Sequence, residues 1–470
     1  MRYGLSPGRR IRGGSGFCLI YHISFTNGPG CDTLFSAAAS QGRKDKEVGP
    51  LRYITGGLAA VNLLCALLAK RMGHGPRQIL RMLWDGIRQA LPVIRVLLVI
   101  GMVTGIWRAA GTITVSVYYG IRVISPRLFL LVAFLLACLM SYALGTSFGI
   151  AGTVGVIFMT LARSGGVDPA IAGGVLLSGV FFGDRGSPIS STANLVAGLT
   201  ETDLMGNVRR MMRTGALPFA LCLLVYGFLS FTHPIQIVDN TVIDAFRAEF
   251  QLSAWAFVPA VLMLLLPLLH IPILWCMGLS IASGVLIARF VQGAAWGAIV
   301  RSCLLGYTAG NDDLGAILNG GGMISMADSC VIVLLACACS GLFGGTGMLR
   351  PMERRITALV GRIGTFPVLI LTSLLASAVF CNQVIAIVMG KQLLAPVYAA
   401  QGRSHEELAI DLENTAITVP AFVPWSIISS VPRQLLGVGY GSMLWAVFLY
   451  AVPLINLAGD RLRRRRQHIT

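Results

Sequence analysis

Only 20 of the 470 residues are acidic, and few of these sit in apolar surroundings: Asp184, Asp328 and Glu413, with Asp411 just outside. An ionisable side chain at membrane depth is expensive and is a functional hypothesis by default. Asp184 lies in LLSGVFFGDRGSPISSTANLVAGLT, an apolar run over 176–200 interrupted by Asp184, Arg185, Gly186 and Pro188. A carboxylate at such a break can hold either a proton or a hard cation, and competition between the two is enough to couple their fluxes. Ser187, Ser190, Ser191, Thr192 and Asn194 follow it, and sodium prefers oxygen ligands of this kind to sulfur or imidazole. Asp184, Thr192 and Asn194 are therefore the candidate Na+ ligands. Local alternatives exist: Asp184 can pair with Arg185 or cap a helix, and the hydroxyls can satisfy backbone groups freed by Pro188.

A second break, ENTAITVPAFVPW, offers Glu413, Asn414, Thr415 and Thr418 ahead of Pro420 and Pro424. Here Glu413 can instead end an amphipathic surface helix carrying Glu406, Glu407 and Asp411. Asn382 and Gln383 form a further polar step in an apolar run, as Thr146 and Ser147 do after Gly145. Asp328, in GGGMISMADSC, reads as a charge near the membrane boundary, since Pro92 holds the matching place in the first half. Trp107 and Arg108 read as an interfacial pair with a snorkelling guanidinium. Neither an HExxH metal pair nor a Walker loop occurs, so neither an enzyme nor an ATP-driven pump is expected, and no cofactor is called for.

The elements that must position these groups are membrane helices. Hydrophobic residues make up 55% of the chain and charged ones 12%, with a mean hydropathy of +0.75, far from the quarter or so of charged residues in soluble domains. About 10–12 candidate spans meet the ~20-residue criterion, so the expected fold is an all-α polytopic membrane protein. The net charge of +17 comes from basic residues at the ends of apolar runs, such as Arg209, Arg210 and Arg213 and the tail Arg461 to Arg466. That is a topological pattern, which puts the C-terminus in the cytoplasm of a bacterial inner membrane, and no soluble module is left to bind nucleic acid. The eleven cysteines lie mostly in apolar runs and behave as small hydrophobes. Expected partners are the bilayer, Na+ and H+, with a homodimer as the candidate assembly.

The chain divides into a disordered or atypical extension (1–50), a first half (51–234), a polar connecting loop (235–253), a second half (254–458) and a basic tail (459–470). Setting 80–112 against 316–348 aligns Gly86, Leu98, Gly105 and Gly111 with Gly322, Leu334, Gly341 and Gly347. Both halves then reach one polar break and later a second. Paired discontinuous helices in corresponding positions are what a secondary transporter needs at its midplane.

GTSFGIAGTVG from Gly145, SGVFFGDRGSPISSTANL from Ser178, GGGMISM from Gly320 and LENTAITVPAFVPW from Leu412 resemble signature segments of the NhaC-type Na+/H+ antiporter family. GIWRAAGTI from Gly105 is similar to another, and the resemblance spans roughly 52–458. It implies two inverted repeats with broken helices and re-entrant hairpins around a central site, with Asp184 and Ser187 to Asn194 on the first motif and Glu413 to Trp425 on the second. Family members usually begin with one more apolar helix before Ile54, and Glu413–Asn414 stands where an acidic pair is expected. The leading reading is a Na+/H+ antiporter working by alternating access. The rivals are a malate/lactate-type organic-anion exchanger coupled to Na+ and H+, whose substrate Asp184 would repel, and a non-transporting receptor or assembly protein.

Overall fold

A computed structural model describes residues 55–123, 125–235, 246–269, 271–310, 315, 318–346 and 358–467. The extension over 1–50, most of the connecting loop with Asp239 and Asp244, and the end of the basic tail lie outside the described residues. On the N-terminal side of the residues expected to form a connecting loop, the helices are α1 (55–71), α2 (Pro76–Ala109), α3 (Thr112–Val123), α4 (Phe129–Leu144), α5 (Ser147–Ser164), α6 (Pro169–Gly186), α7 (Ser191–Thr200) and α8 (Leu204–Thr232). On its C-terminal side are α9 (Val258–Leu265), α10 (Ile273–Phe290), α11 (Trp296–Leu304), α12 (Ala327–Thr346), α13 (Thr365–Phe380), α14 (Gln383–Ala400), α15 (His405–Thr415), α16 (Ile427–Leu435) and α17 (Val447–Gln467). Among the described residues the β pairing is a single bridge, Tyr307 to Gly320.

Among the described residues six helices are long and apolar enough to cross a membrane, or up to seven if α15 and α16, bent by 62° at their break, form one span. The larger number read from hydropathy also takes in the shorter segments Ala254–Met263, Leu274–Phe290 and Thr365–Phe380. Apolar runs that look continuous are cut by caps. At the end of α4, Gly145 turns left-handed (φ 62°) and Thr146 caps α5 by accepting the Gly149 N–H at 3.4 Å. Exactly corresponding residues sit 236 positions on (381 − 145): Cys381 ends α13 at φ 56°, and Asn382 caps α14 by accepting the Val384 N–H at 2.9 Å. A non-glycine residue in this region is strained, so the turn is imposed by its surroundings.

The same offset governs the glycines. Gly86 of α2 packs on Cys337 and Gly341 of α12, while Gly101 and Gly105 of α2 pack on Gly322, whose N–H donates to the Gly101 carbonyl at 2.8 Å. The contacts 86–341 and 105–322 join two pairs of glycines that are each 236 positions apart in sequence (322 − 86 and 341 − 105). A second close seam joins α4 to α6, where a Cβ on Gly179 would sit 2.6 Å from Ala137 Cβ and one on Gly183 would collide with the Ser141 backbone.

Two sequence expectations are corrected or placed here. Trp107 is fully buried rather than interfacial, because its indole N–H finds a partner inside, Ser280 Oγ at 2.9 Å. Its neighbour Arg108 donates to the Thr104 carbonyl at 2.8 Å. Asp328 is exposed in the first turn of α12, where the positive helix end favours a carboxylate.

The glycine seams generate a paired test. Gly183→Ala should destabilise the folded protein by about 1–3 kcal/mol, the usual range for overpacking. Gly198→Ala, on an exposed face of α7 with nothing within 4 Å, should be neutral or stabilising by up to ~1 kcal/mol. Thermal unfolding of the purified variants in detergent measures both.

Candidate functional site

A helix that stops inside the bilayer leaves backbone donors and acceptors that protein must satisfy, and here the breaks pack against one another. In the first half, the α4–α5 break lies on the α6–α7 break: a Cβ on Gly145 would be 2.6 Å from Ser190 N. In the second, the Cys381 carbonyl accepts the Ile427 N–H at 3.0 Å, and Trp425 Nε1 donates to the Ala378 carbonyl at 2.8 Å. The two crossings then meet. Gln383, at the start of α14, reaches the Asp184 carboxyl, and Arg185 Nη2 donates to Asn414 Oδ1 on α15 at 2.5 Å.

Around Asp184 the hydroxyls serve the main chain. Ser190 Oγ and Thr192 Oγ1 both donate to the Asp184 carbonyl, at 2.6 and 2.8 Å, and lie 2.7 Å apart. Ser190 also caps α7, while Pro188 supplies no N–H to continue α6. The Asp184 side chain is buried, and its Oδ2 has no hydrogen-bond partner. Glu413 is fully buried with neither carboxylate oxygen partnered, although Arg185 and Asp184 are close enough to interact with it electrostatically. Arg185 is 1% exposed. Its Nη2 rests on three neutral oxygens, Met211 O at 3.1 Å, Thr214 Oγ1 at 2.8 Å and Asn414 Oδ1.

Of the residues singled out from the sequence, Asp184, Ser190, Thr192, Gln383, Glu413 and Asn414 come together. Ser191 and Asn194 lie on the exposed face of α7, and the Asn194 amide is spent on the carbonyls of Pro188 and Ser190 at 3.1 and 2.7 Å. Ser187 Oγ accepts the Ile189 N–H at 3.1 Å, and Thr415 Oγ1 donates to the Asp411 carbonyl at 2.7 Å. Asn382 is taken up by its capping role. The sequence reading treated Arg185 only as a local partner for Asp184. Its crossing to α15 went unread, although the rule that singles out a membrane-depth carboxylate applies equally to a guanidinium. Residues 145–149 also spell G-x-S-x-G, but between two helices rather than a strand and a helix, so they make no nucleophile elbow. Among the described residues no group of three or more His, Cys, Asp or Glu gathers around a point.

A cleft of about 830 Å³ adjoins this centre. Arg210, Arg213, Asp411 and Asp460 are on its walls, and Thr214 and Asn414 line it while also holding Arg185. Buried charge below a water-accessible cleft, at the meeting point of broken helices, defines a secondary transporter of the multi-pass membrane class.

The sequence profile of the Na+/H+ antiporter family matches residues 179–457, more than half of the chain, and the chain belongs to that family. It is 26% identical over 403 residues to the Na+/H+ antiporter NhaC of Alkalihalophilus pseudofirmus, covering 84% of this chain and 87% of that protein. It is 25% identical over 409 residues to the malate-2H+/Na+-lactate antiporter of Bacillus subtilis, covering 84% and 86%. The arginine/ornithine antiporter ArcD of Halobacterium salinarum is 26% identical over 359 residues, covering 73% and 74%. The NhaC-type resemblance read from the motifs therefore holds, and the relatives are transporters.

The hydroxyl network at the break is testable by stability alone. Ser190→Ala removes a helix cap and a buried hydrogen bond and should cost about 1 kcal/mol, whereas Ser191→Ala should stay within ~0.5 kcal/mol of the parent. Thermal unfolding in detergent distinguishes the two.

Proposed function

We propose that the chain exchanges Na+ for H+ across a bacterial cytoplasmic membrane by alternating access, at one site in which Asp184 and Glu413 bind either ion. The observation that carries the reading is the pair of buried carboxylates with Asp184 Oδ2 and both Glu413 oxygens unpartnered. Uncompensated charge of this kind costs several kcal/mol per ion, so each carboxylate is driven to take up a proton or a cation. Gln383 and the carbonyls exposed at the breaks supply neutral oxygen for Na+. Reciprocal glycine contacts and matched caps at a 236-residue offset support two inverted halves around this centre. Arg210 and Arg213 of α8 line the cleft, which by the positive-inside rule opens to the cytoplasm together with the C-terminus.

An organic-anion exchanger is the second reading, favoured by the guanidinium of Arg185 beneath a cleft that also carries Arg210, Arg213 and Arg403. The two carboxylates beside Arg185 weigh against it. Vesicles reconstituted with the protein and carrying an imposed pH gradient separate the readings. Na+, and not choline, should dissipate the gradient, and Asp184→Asn and Glu413→Gln should abolish this while inserting normally. Malate counterflow with no Na+-dependent proton movement would select the exchanger, and normal exchange by Asp184→Asn would remove that residue from the coupling site.

A further inference from the structure

We propose that Arg185 is a tethered counter-cation that alternates with transported Na+ at Glu413, and that Met211, Thr214 and Asn414 form the cradle in which its guanidinium rests while the carboxylates are available to a cation. The proposal rests on the assignment of Asp184 and Glu413 as the Na+ site. Its starting point is a mismatch of partners. A buried guanidinium ordinarily takes a carboxylate in a charge-assisted, often bidentate pair. Arg185 has the buried Glu413 carboxylate close enough for electrostatic interaction, yet its Nη2 donates to three neutral oxygens, and no ion pair within 4.0 Å joins it to Glu413 or to the adjacent Asp184. Those neutral hydrogen bonds are weaker than the carboxylate pair would be. The cradle is therefore the preferred seat only while a cation or proton occupies Glu413.

The second seat is near. Asn414, which accepts the shortest of the three bonds, follows Glu413 directly in α15, and Glu413 is close enough to interact electrostatically with the guanidinium from its cradle. Gly215 of α8 lies against the guanidinium on the cradle side, where a Cβ would be 2.7 Å from Arg185 Nη1. Any larger residue at this position would press the guanidinium out of its cradle. The exchange explains how an unloaded carrier avoids bare charge: when Na+ leaves, the guanidinium swings onto Glu413, and when Na+ binds, it is displaced to the neutral oxygens. Arg185 thus acts as an internal competitor that lowers Na+ affinity and speeds Na+ release, before protons load the site for the return step.

Two variants push this balance in opposite directions. In vesicles, the Na+ concentration for half-maximal proton flux and the maximal flux are measured together, with equilibrium binding of radiolabelled Na+ to detergent-purified protein as the second readout. Arg185→Gln removes the competitor, so binding should tighten by about tenfold, equivalent to about 1.4 kcal/mol, while the maximal flux falls. Gly215→Ala drives the guanidinium toward Glu413 at the cost of a flexible side-chain end only, so Na+ binding should weaken in a protein that folds and inserts. Arg185→Lys should restore most of the parental Na+ dependence. Unchanged or weakened Na+ binding in Arg185→Gln overturns the proposal, as does unchanged binding in Gly215→Ala, which decides the matter if the glutamine variant fails to fold. Absence of Na+-dependent flux in the parent protein would instead overturn the Na+/H+ reading itself.

Discussion

A backbone that leaves the helical path inside a bilayer must find every lost hydrogen bond within the protein. This constraint organises the molecule. The break after α4 packs on the one after α6, the break after α13 is hydrogen-bonded to the one after α15, and these crossings bring Asp184, Arg185, Gln383 and Glu413 to one place. Much of the polar chemistry nearby is consumed in this repair. Thr146, Ser190 and Asn382 cap helices, and Thr192 and Ser190 hold the Asp184 carbonyl. What remains for an ion is the small set of carboxylate and amide oxygens that the backbone does not need.

The remainder carries a charge problem. Two carboxylates and one guanidinium sum to −1 when all are ionised (−2 + 1), in surroundings where an unbalanced charge is costly. One monovalent cation or one proton restores neutrality. Buried electrostatics of this sort is poor at stabilising a fold, but it makes the loaded and unloaded forms of a carrier energetically distinct. Placing Arg185 between the two halves ties that balance to contacts that cross from α6 to α8 and α15.

The class of fold, the family and the two principal breaks were legible in the sequence because each depends on local chemistry: apolar length, proline, glycine and the polar clusters beside them. Asp184 and Glu413 stood out for the same reason. Which oxygens surround them was not legible, since the direction of a side chain at a break depends on helix phase and on the opposing break. Asn194 illustrates the limit: its type and spacing suit a ligand, but α7 starts one residue after Ser190 and turns it outward onto the Pro188 carbonyl. Arg185 illustrates the converse, because its partner is 229 positions away on α15. Trp107 followed a sound interfacial preference and was overridden by a tertiary partner, Ser280.

The glycine seams bear on how such a molecule can move. At Gly86 and Gly341 between α2 and α12, and at Gly183 between α4 and α6, main chain rests directly on main chain. Interlocked backbones of this kind cannot slip by a residue without collision, unlike surfaces separated by rotatable side chains. Each seam is therefore a weld, and the two helices it joins travel as one mechanical part. Any relative displacement that opens one side of the protein and closes the other falls on the side-chain-lined boundaries instead, and the boundary of α8 with α15 is the one that the Arg185 guanidinium spans.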